Sequence, residues 1–134
     1  MIAVLFLDLD GFKIVNDSFG HAAGDRLLAQ AAERLRRCVR SADTVSRIGG
    51  DEFVVLLESV ESTEQVAEVA GRILEILRDP FVLERGEASV SASIGVALDG
   101  ISEREAEDLV READHAMYQA KVDGGDCYEI SSGR

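Results

Sequence analysis

Near its start the chain carries six consecutive apolar residues, Ile2-Ala3-Val4-Leu5-Phe6-Leu7, which give way to Asp8 and then Asp10. Alternating polarity marks a strand with one wet face, whereas an unbroken Val/Ile/Leu-rich run marks a central strand buried on both faces. The rest of the chain has to supply cover for it. Its C-terminal end would carry Asp8 and Asp10 to the rim of the core.

A second stretch raises a matching question. RIGGDEFVVLL, residues 47–57, sets Asp51 and Glu52 directly before a block of strand formers. Adjacent carboxylates beside a core are costly unless a cation or a solvated turn relieves them. The pair marks either a solvated hairpin tip or a site.

The size and the apolar content of 46% over 134 residues suit one domain, residues 1–134, with a core of its own. Acidic residues outnumber basic ones 26 to 14, for a formal net charge of −12. Such a surface repels polymeric nucleic acid and anionic lipid. A single nucleotide remains an acceptable ligand if a divalent cation neutralises its phosphates. Cys38 and Cys127 form no CxxC spacing and read as free thiols in a reducing compartment. The opening apolar run is too short to span a bilayer and lacks a basic lead. A cytoplasmic location without membrane contact is the expectation.

From Asp25 to about residue 40, Leu27, Leu28, Ala31, Leu35, Cys38 and Val39 recur at helical spacing. TVSRI and EFVVLLE bracket Gly49-Gly50 as a tight hairpin. Ser62 with Gln65 forms a capping box for a helix striped by Val66, Val69, Ala70, Ile73, Leu74 and Leu77, which Asp79-Pro80 stops. A small hairpin arm, FVLE and RGE, leads into a longer strand. There Val90, Ala92, Ile94, Val96 and Leu98 share one face, while Ser91, Ser93 and Gly95 leave room on the other for a helix or another backbone. A last helix with Leu109, Val110, Ala113, Ala116, Met117 and Ala120 is followed by a short strand, CYEI. This order predicts an α+β sandwich whose middle strands form the central hairpin, with Asp8 beside Asp51.

Asp8, Asp51 and Glu52, all at strand ends or turns, offer the oxygen-only donors that suit a hard cation, although acids at strand ends also serve simply as solvated charges. Asn16 and Asp25 flank a glycine-containing turn. Asp25 reads locally as a helix N-cap, yet an amide and a carboxylate converging in a pocket are also groups able to read a guanine edge. Lys13 and Lys121 are candidate phosphate contacts near helix ends, with solvated charge as the plain alternative. Arg40 and Asp43 in RSAD read as a helix end and a turn. His115, Met117 and Tyr118 read as packing residues of the last helix.

Together, LDLDGFKIVNDSFGHAAGD, RSAD, RIGGDEFVVLL, SASIGVA and ADHAMYQAK resemble, in order, the blocks of the GGDEF domain of bacterial diguanylate cyclases, which join two GTP molecules into cyclic di-GMP. The resemblance implies a nucleotidyl-cyclase palm, a ferredoxin-like βαββαβ sandwich with helices packed around a central, mostly antiparallel sheet. It implies an enzyme that binds Mg²⁺, or Mn²⁺ in its place, through Asp8, the carbonyl of Leu9 and Asp51. Asp51 and Glu52 are then the catalytic acids, Asn16 and Asp25 read guanine, Gly49 and Gly50 pass close to the nucleotide, and Lys121 contacts phosphate, as the candidate Lys13 would. Each copy would hold one GTP, so catalysis would need a transient homodimer. Arg40 and Asp43 match an inhibitory site for the product.

The sequence departs from the family's pattern in two places. AKVDGGD sets Gly125 where an arginine usually contacts phosphate and Asp126 where asparagine is usual, which predicts weaker GTP binding. The helix and the DxLTGLxNR segment that usually precede the first strand are not in this sequence. The alternative implied is a weak or inactive module that binds GTP or cyclic di-GMP and regulates an attached domain such as a phosphodiesterase.

Overall fold

The computed structural model describes residues 1–99 and 105–131. Its elements run β1 (Ile2–Asp10), α1 (Phe12–Phe19), α2 (His21–Arg37), β2 (Thr44–Gly49), β3 (Glu52–Leu57), α3 (Thr63–Arg78), β4 (Phe81–Leu83), β5 (Gly86–Ala88), β6 (Ser91–Asp99), α4 (Ala106–Val122) and β7 (Cys127–Ile130). Five strands form one sheet in the order β2-β3-β1-β6-β7, and β4 with β5 forms a separate two-stranded arm. All pairings of the main sheet are antiparallel except β6 with β7.

As the apolar run requires, β1 lies at the centre. Its alternation sends Ala3, Leu5, Leu7 and Leu9 to one face, into a core shared with residues of α1, α2 and α3. Val4 and Phe6 point to the other, where Leu109, Ala113 and Met117 of α4 cover them. Leu5 and Leu7 have no exposed surface, and each such side chain stabilises the fold by about 1.5–3 kcal/mol through burial alone. Neighbouring strands repeat the division, with Phe53, Val55, Ile94 and Val96 on the first face and Ala97 on the second.

The hairpin is displaced from its expected position. β2 is an edge strand and the centre belongs to β1, so β2 and β3 occupy one side of the sheet rather than its middle. Six-residue strands with one bulge between Arg47 and Gly49 form this hairpin, and Gly49 faces Glu52. Its turn residues are therefore Gly50 and Asp51 rather than Gly49 and Gly50. Arg47 Nε donates to Gly50 O at 2.8 Å and braces that turn.

Helix α3 begins as the sequence indicates, with Gln65 N donating to Ser62 Oγ at 3.2 Å. The return bond of the box shifts by one residue, since Gln65 Oε1 accepts from Glu61 N at 2.7 Å. The 25–40 helix is better described as α2, with Gly20 as its N-cap and Cys38 as its C-cap. Asp25 lies inside it and caps nothing. On α4, Met117 is buried as expected, but His115 and Tyr118 face solvent. Cys38 is buried, Cys127 is partly so, and both are free thiols. Among the described residues, no helix is long and apolar enough to cross a membrane.

Gly95 sets how closely α4 approaches the sheet. A Cβ there would overlap Ala113 O and Met117 N of the helix backbone, which cannot yield as a side chain can. Gly71 in α3 has open space around it. The two glycines should thus respond oppositely to alanine: Gly95→Ala is expected to lower stability by about 1–3 kcal/mol, and Gly71→Ala to raise it by roughly 0.5–1 kcal/mol. Urea unfolding midpoints of the two variants check both signs.

Candidate functional site

The alternation that buries Val4 and Phe6 continues past the apolar run, so Asp8 and Asp10 emerge on the α4 face at the end of β1. Across the β1–β3 ladder Asp8 faces Glu52, and Leu9 N donates to Asp51 O at 3.2 Å. Across the other ladder Asp8 faces Ser93 and Asp10 faces Ser91. Lys121, in the last turn of α4, sets its Nζ 3.4 Å from Asp8 Oδ2 and 3.5 Å from Asp10 Oδ1. Four elements thus meet where the core opens to solvent.

The electrostatics follow from this crowding. Burial, then the neighbouring charge of Asp51 and a hydrogen bond between the two carboxyl groups, push the Asp8 pKa up to about 6 against the opposing pull of Lys121. Glu52 is raised by burial and by Asp114 of α4 and Asp51, again against Lys121. Burial would lower Lys121, but Asp8 and Asp10 outweigh it and hold its pKa above the usual value. The group contains more negative charge than its one ammonium can neutralise. Oxygen-only donors short of positive charge suit a hard divalent cation. Among the described residues no three His, Cys, Asp or Glu side chains converge in a ready-made cage, so such an ion would complete its shell from backbone oxygen, water and phosphate.

The structure therefore brings together Asp8, Leu9, Asp51, Glu52 and Lys121, with Gly49 and Gly50 in the adjoining hairpin. Lys13 and Asn16 stand on α1, which follows directly from that end of β1, and Asp25 stands on α2, which packs against α1. The amide of Asn16 fills the space a side chain at Gly24 would take, next to Asp25. Among the described residues no side-chain hydrogen bond or ion pair joins these three to the acids.

Arg40 and Asp43 are separate from this group. Asp43 accepts from Arg40 N at 2.9 Å and from Glu58 N at 3.2 Å, just past the far end of β3. Along a strand of that length this is roughly 20 Å from Asp51. A cavity of about 240 Å³ there is lined by Arg40, Asp43, Gln65, Glu68 and Arg72 among others. Both Asp43 oxygens are engaged by backbone amides of the turn and of the strand end.

Sequence reasoning missed Asp10 and Asp114 as neighbours of the site. The signal for Asp10 was its position two residues after Asp8, on the same face. Its partners Ser91 and Ser93 could be named only once the register of β6 was known.

Three comparisons place the chain among known proteins. Residues 1–127 match the family model described as "Diguanylate cyclase, GGDEF domain". The chain is 48% identical over 97% of its length to the bifunctional diguanylate cyclase/cyclic di-GMP phosphodiesterase MucR of Pseudomonas aeruginosa, and covers 19% of that protein. It is 42% identical over 89% of its length to diguanylate cyclase DgcN of Escherichia coli, covering 29% of it. The chain thus spans less than a third of either relative. Among solved structures, the GGDEF domain of PA1120 (YfiN or TpbB) from Pseudomonas aeruginosa superposes with a TM-score of 0.92 at 39% identity, over 98% of this chain and 82% of that one. An EAL/GGDEF domain protein from M. capsulatus gives 0.89 at 47% identity, over 98% and 84%.

The raised pKa of Asp8 ties stability to pH. With an ordinary value near 3.8 in the unfolded chain and about 6 when folded, the native state holds the extra proton in this window. Stability is therefore highest below about pH 4 on this account and falls as pH rises through about 6. Without divalent cations, Asp8→Asn is expected to remove that slope and to stabilise the protein near neutrality by on the order of 1–2 kcal/mol, a figure reduced for solvent screening. Urea unfolding in EDTA across this range measures it, and an unchanged slope in the variant would reject Asp8 as its source.

Proposed function

The chain belongs to the GGDEF domain family of diguanylate cyclases, and from that membership we propose that it condenses two GTP molecules into cyclic di-GMP, releasing two pyrophosphates. The single observation that carries the reading is that the β1–β3 ladder sets Asp8 opposite Glu52, and Leu9 N on Asp51 O, with Lys121 Nζ 3.4 Å from Asp8. In each of two condensations the 3′-hydroxyl oxygen of one GTP bonds the α-phosphorus of the other, and the bond to pyrophosphate breaks.

In this reading Asp8, the carbonyl of Leu9 and Asp51 hold Mg²⁺, with Mn²⁺ as a substitute. When bound, the cation supplies Lewis acidity toward the hydroxyl and the phosphoryl oxygens. Glu52, kept above the ordinary carboxylate range by burial, Asp114 and Asp51, is suited to receive the hydroxyl proton. Lys121 and Lys13 contact phosphate. Asn16 and Asp25 read the guanine edge, and Gly49 and Gly50 let the hairpin backbone approach the nucleotide. One copy holds one GTP, so the reacting pair assembles when two copies meet face to face. Arg40 and Asp43 bind the product away from the reacting centre and lower the rate when it accumulates.

A second reading is favoured by Gly125 at the position where the family's arginine usually contacts phosphate. Here the domain binds GTP or cyclic di-GMP without turnover and regulates an attached domain, such as a phosphodiesterase. MucR is by name a bifunctional diguanylate cyclase and cyclic di-GMP phosphodiesterase, an example of a relative that joins a cyclase and a phosphodiesterase in one protein.

Purified protein with GTP and Mg²⁺, scored for pyrophosphate and cyclic dinucleotide, separates the two. Turnover is expected to rise more steeply than linearly with protein concentration. Asp51→Ala should lower it at least ~100-fold, for a loss of several kcal/mol of charge stabilisation. GTP binding with no product at high protein concentration would establish the second reading instead.

A further inference from the structure

The most heavily bonded carboxylate at this end of the sheet is Asp10, to which the proposed chemistry gives no part. Ser93, which has no exposed surface, donates to its two oxygens at 2.8 and 3.1 Å. Ser91 Oγ adds a bond of 3.1 Å to Oδ2, and the backbone N–H of Asp126 another of 3.0 Å. Lys121 Nζ completes the set at 3.5 Å from Oδ1. Three elements, β6, α4 and the turn that enters β7, are joined through one side chain.

The donors differ in kind. The hydroxyls and the amide are neutral and fixed to backbone, so they determine where the carboxylate sits. The ammonium is the only one to balance its charge, and it rides on a long side chain that is 36% exposed. The turn closes directly on the same carboxylate. Gly125 takes φ +75°, and a Cβ there would lie 2.9 Å from Asp10 Oδ2. Glycine at 125 brings no guanidinium to a phosphate, and the Arg78 guanidinium that reaches the same turn is paired with Asp126 at 2.8 Å, so more of that work falls to Lys121.

We infer that Asp10 is a positioning residue for substrate binding, which pins the Lys121 ammonium between the end of β1 and the Gly125 turn, ready for an anionic phosphate. This rests on the reading of Lys121 as a phosphate contact. Asp10 itself touches no substrate and acts through the lysine. Its loss should therefore weaken triphosphate binding only while Lys121 is present, whereas a purely structural role would weaken it in either background.

A double-mutant cycle tests this, with Mg²⁺ and α,β-methylene GTP, which cannot release pyrophosphate. Asp10→Asn and Lys121→Met are each expected to raise Kd ~10-fold, the size of one charge-assisted bond, and the double variant no more than Lys121→Met alone. Additive losses, or an unchanged Kd in Asp10→Asn, would overturn the inference. Should that variant fail to fold, Ser91→Ala removes one of the fixed donors and is expected to show a shift of about 3-fold with the same dependence on Lys121. A ligand-free measurement keeps the question apart from the proposed function. Lys13 and Lys121 are the chain's two lysines, so ¹³C-dimethylation of the native protein gives, beside the signal of the N-terminal amine, one restrained and one free lysine methyl signal. In Asp10→Asn the Lys121 methyls should relax toward the freedom of Lys13, and if they stay restrained Asp10 is not what holds the lysine. A native protein that binds no analogue would refute the nucleotide reading, and the methyl relaxation would still decide the role of Asp10.

Discussion

Burial of β1 on both faces is the constraint from which the architecture follows. A strand with no wet side needs cover above and below. α1, α2 and α3 supply one layer and α4 the other. The same two-residue period carries beyond the last apolar residue, and there it selects which acids look toward α4. Asp8 and Asp10 are on that face because Val4 and Phe6 are. The core and the candidate site are thus consecutive stretches of one periodic pattern, first apolar and then charged.

The charged end is unusual in what it lacks. The whole chain is strongly acidic, yet this small volume adds further carboxylates with one ammonium to serve them. Lys121 acts as an internal counter-ion shared by Asp8 and Asp10. Its reach is limited: burial and the charge of Asp51 still push the Asp8 pKa up to about 6 despite the lysine. A buried group that partly gives up its charge does so because the surroundings cannot solvate it. In this protein the shortage of positive charge is local and coincides with the residues that the family resemblance marks.

Much of this was legible before any coordinates. The apolar run, the Ser62 N-cap, the small arm and the helix-facing glycine of β6 each follow from a local rule, and each is where that rule puts it. What failed was non-local. A hairpin signal shows that two strands pair but not which neighbour the second one takes, so β2 and β3 were expected in the middle and stand to one side. The bulge near Arg47 moved the turn by one residue to Gly50-Asp51. α1 was not anticipated, and Gly20 rather than Asp25 starts the helix that follows it. Asp8 and Asp10 were both legible at their strand end, but the partners of Asp10 depend on the β1–β6 register and on a turn 116 residues away in sequence, which no local pattern encodes.

The strand between the two charged regions has a further consequence. β3 begins just after Asp51 and ends just before Glu58, whose amide is held by Asp43, and Phe53, Val55 and Leu57 lock its inner face into the core. Sliding it by one residue would turn those three side chains out of the core. β3 therefore behaves as a rod of fixed length. A ligand seated at one end can send no signal to the other by shifting the strand along its axis, and any influence between the ends has to travel as a tilt of the whole hairpin or through a second molecule.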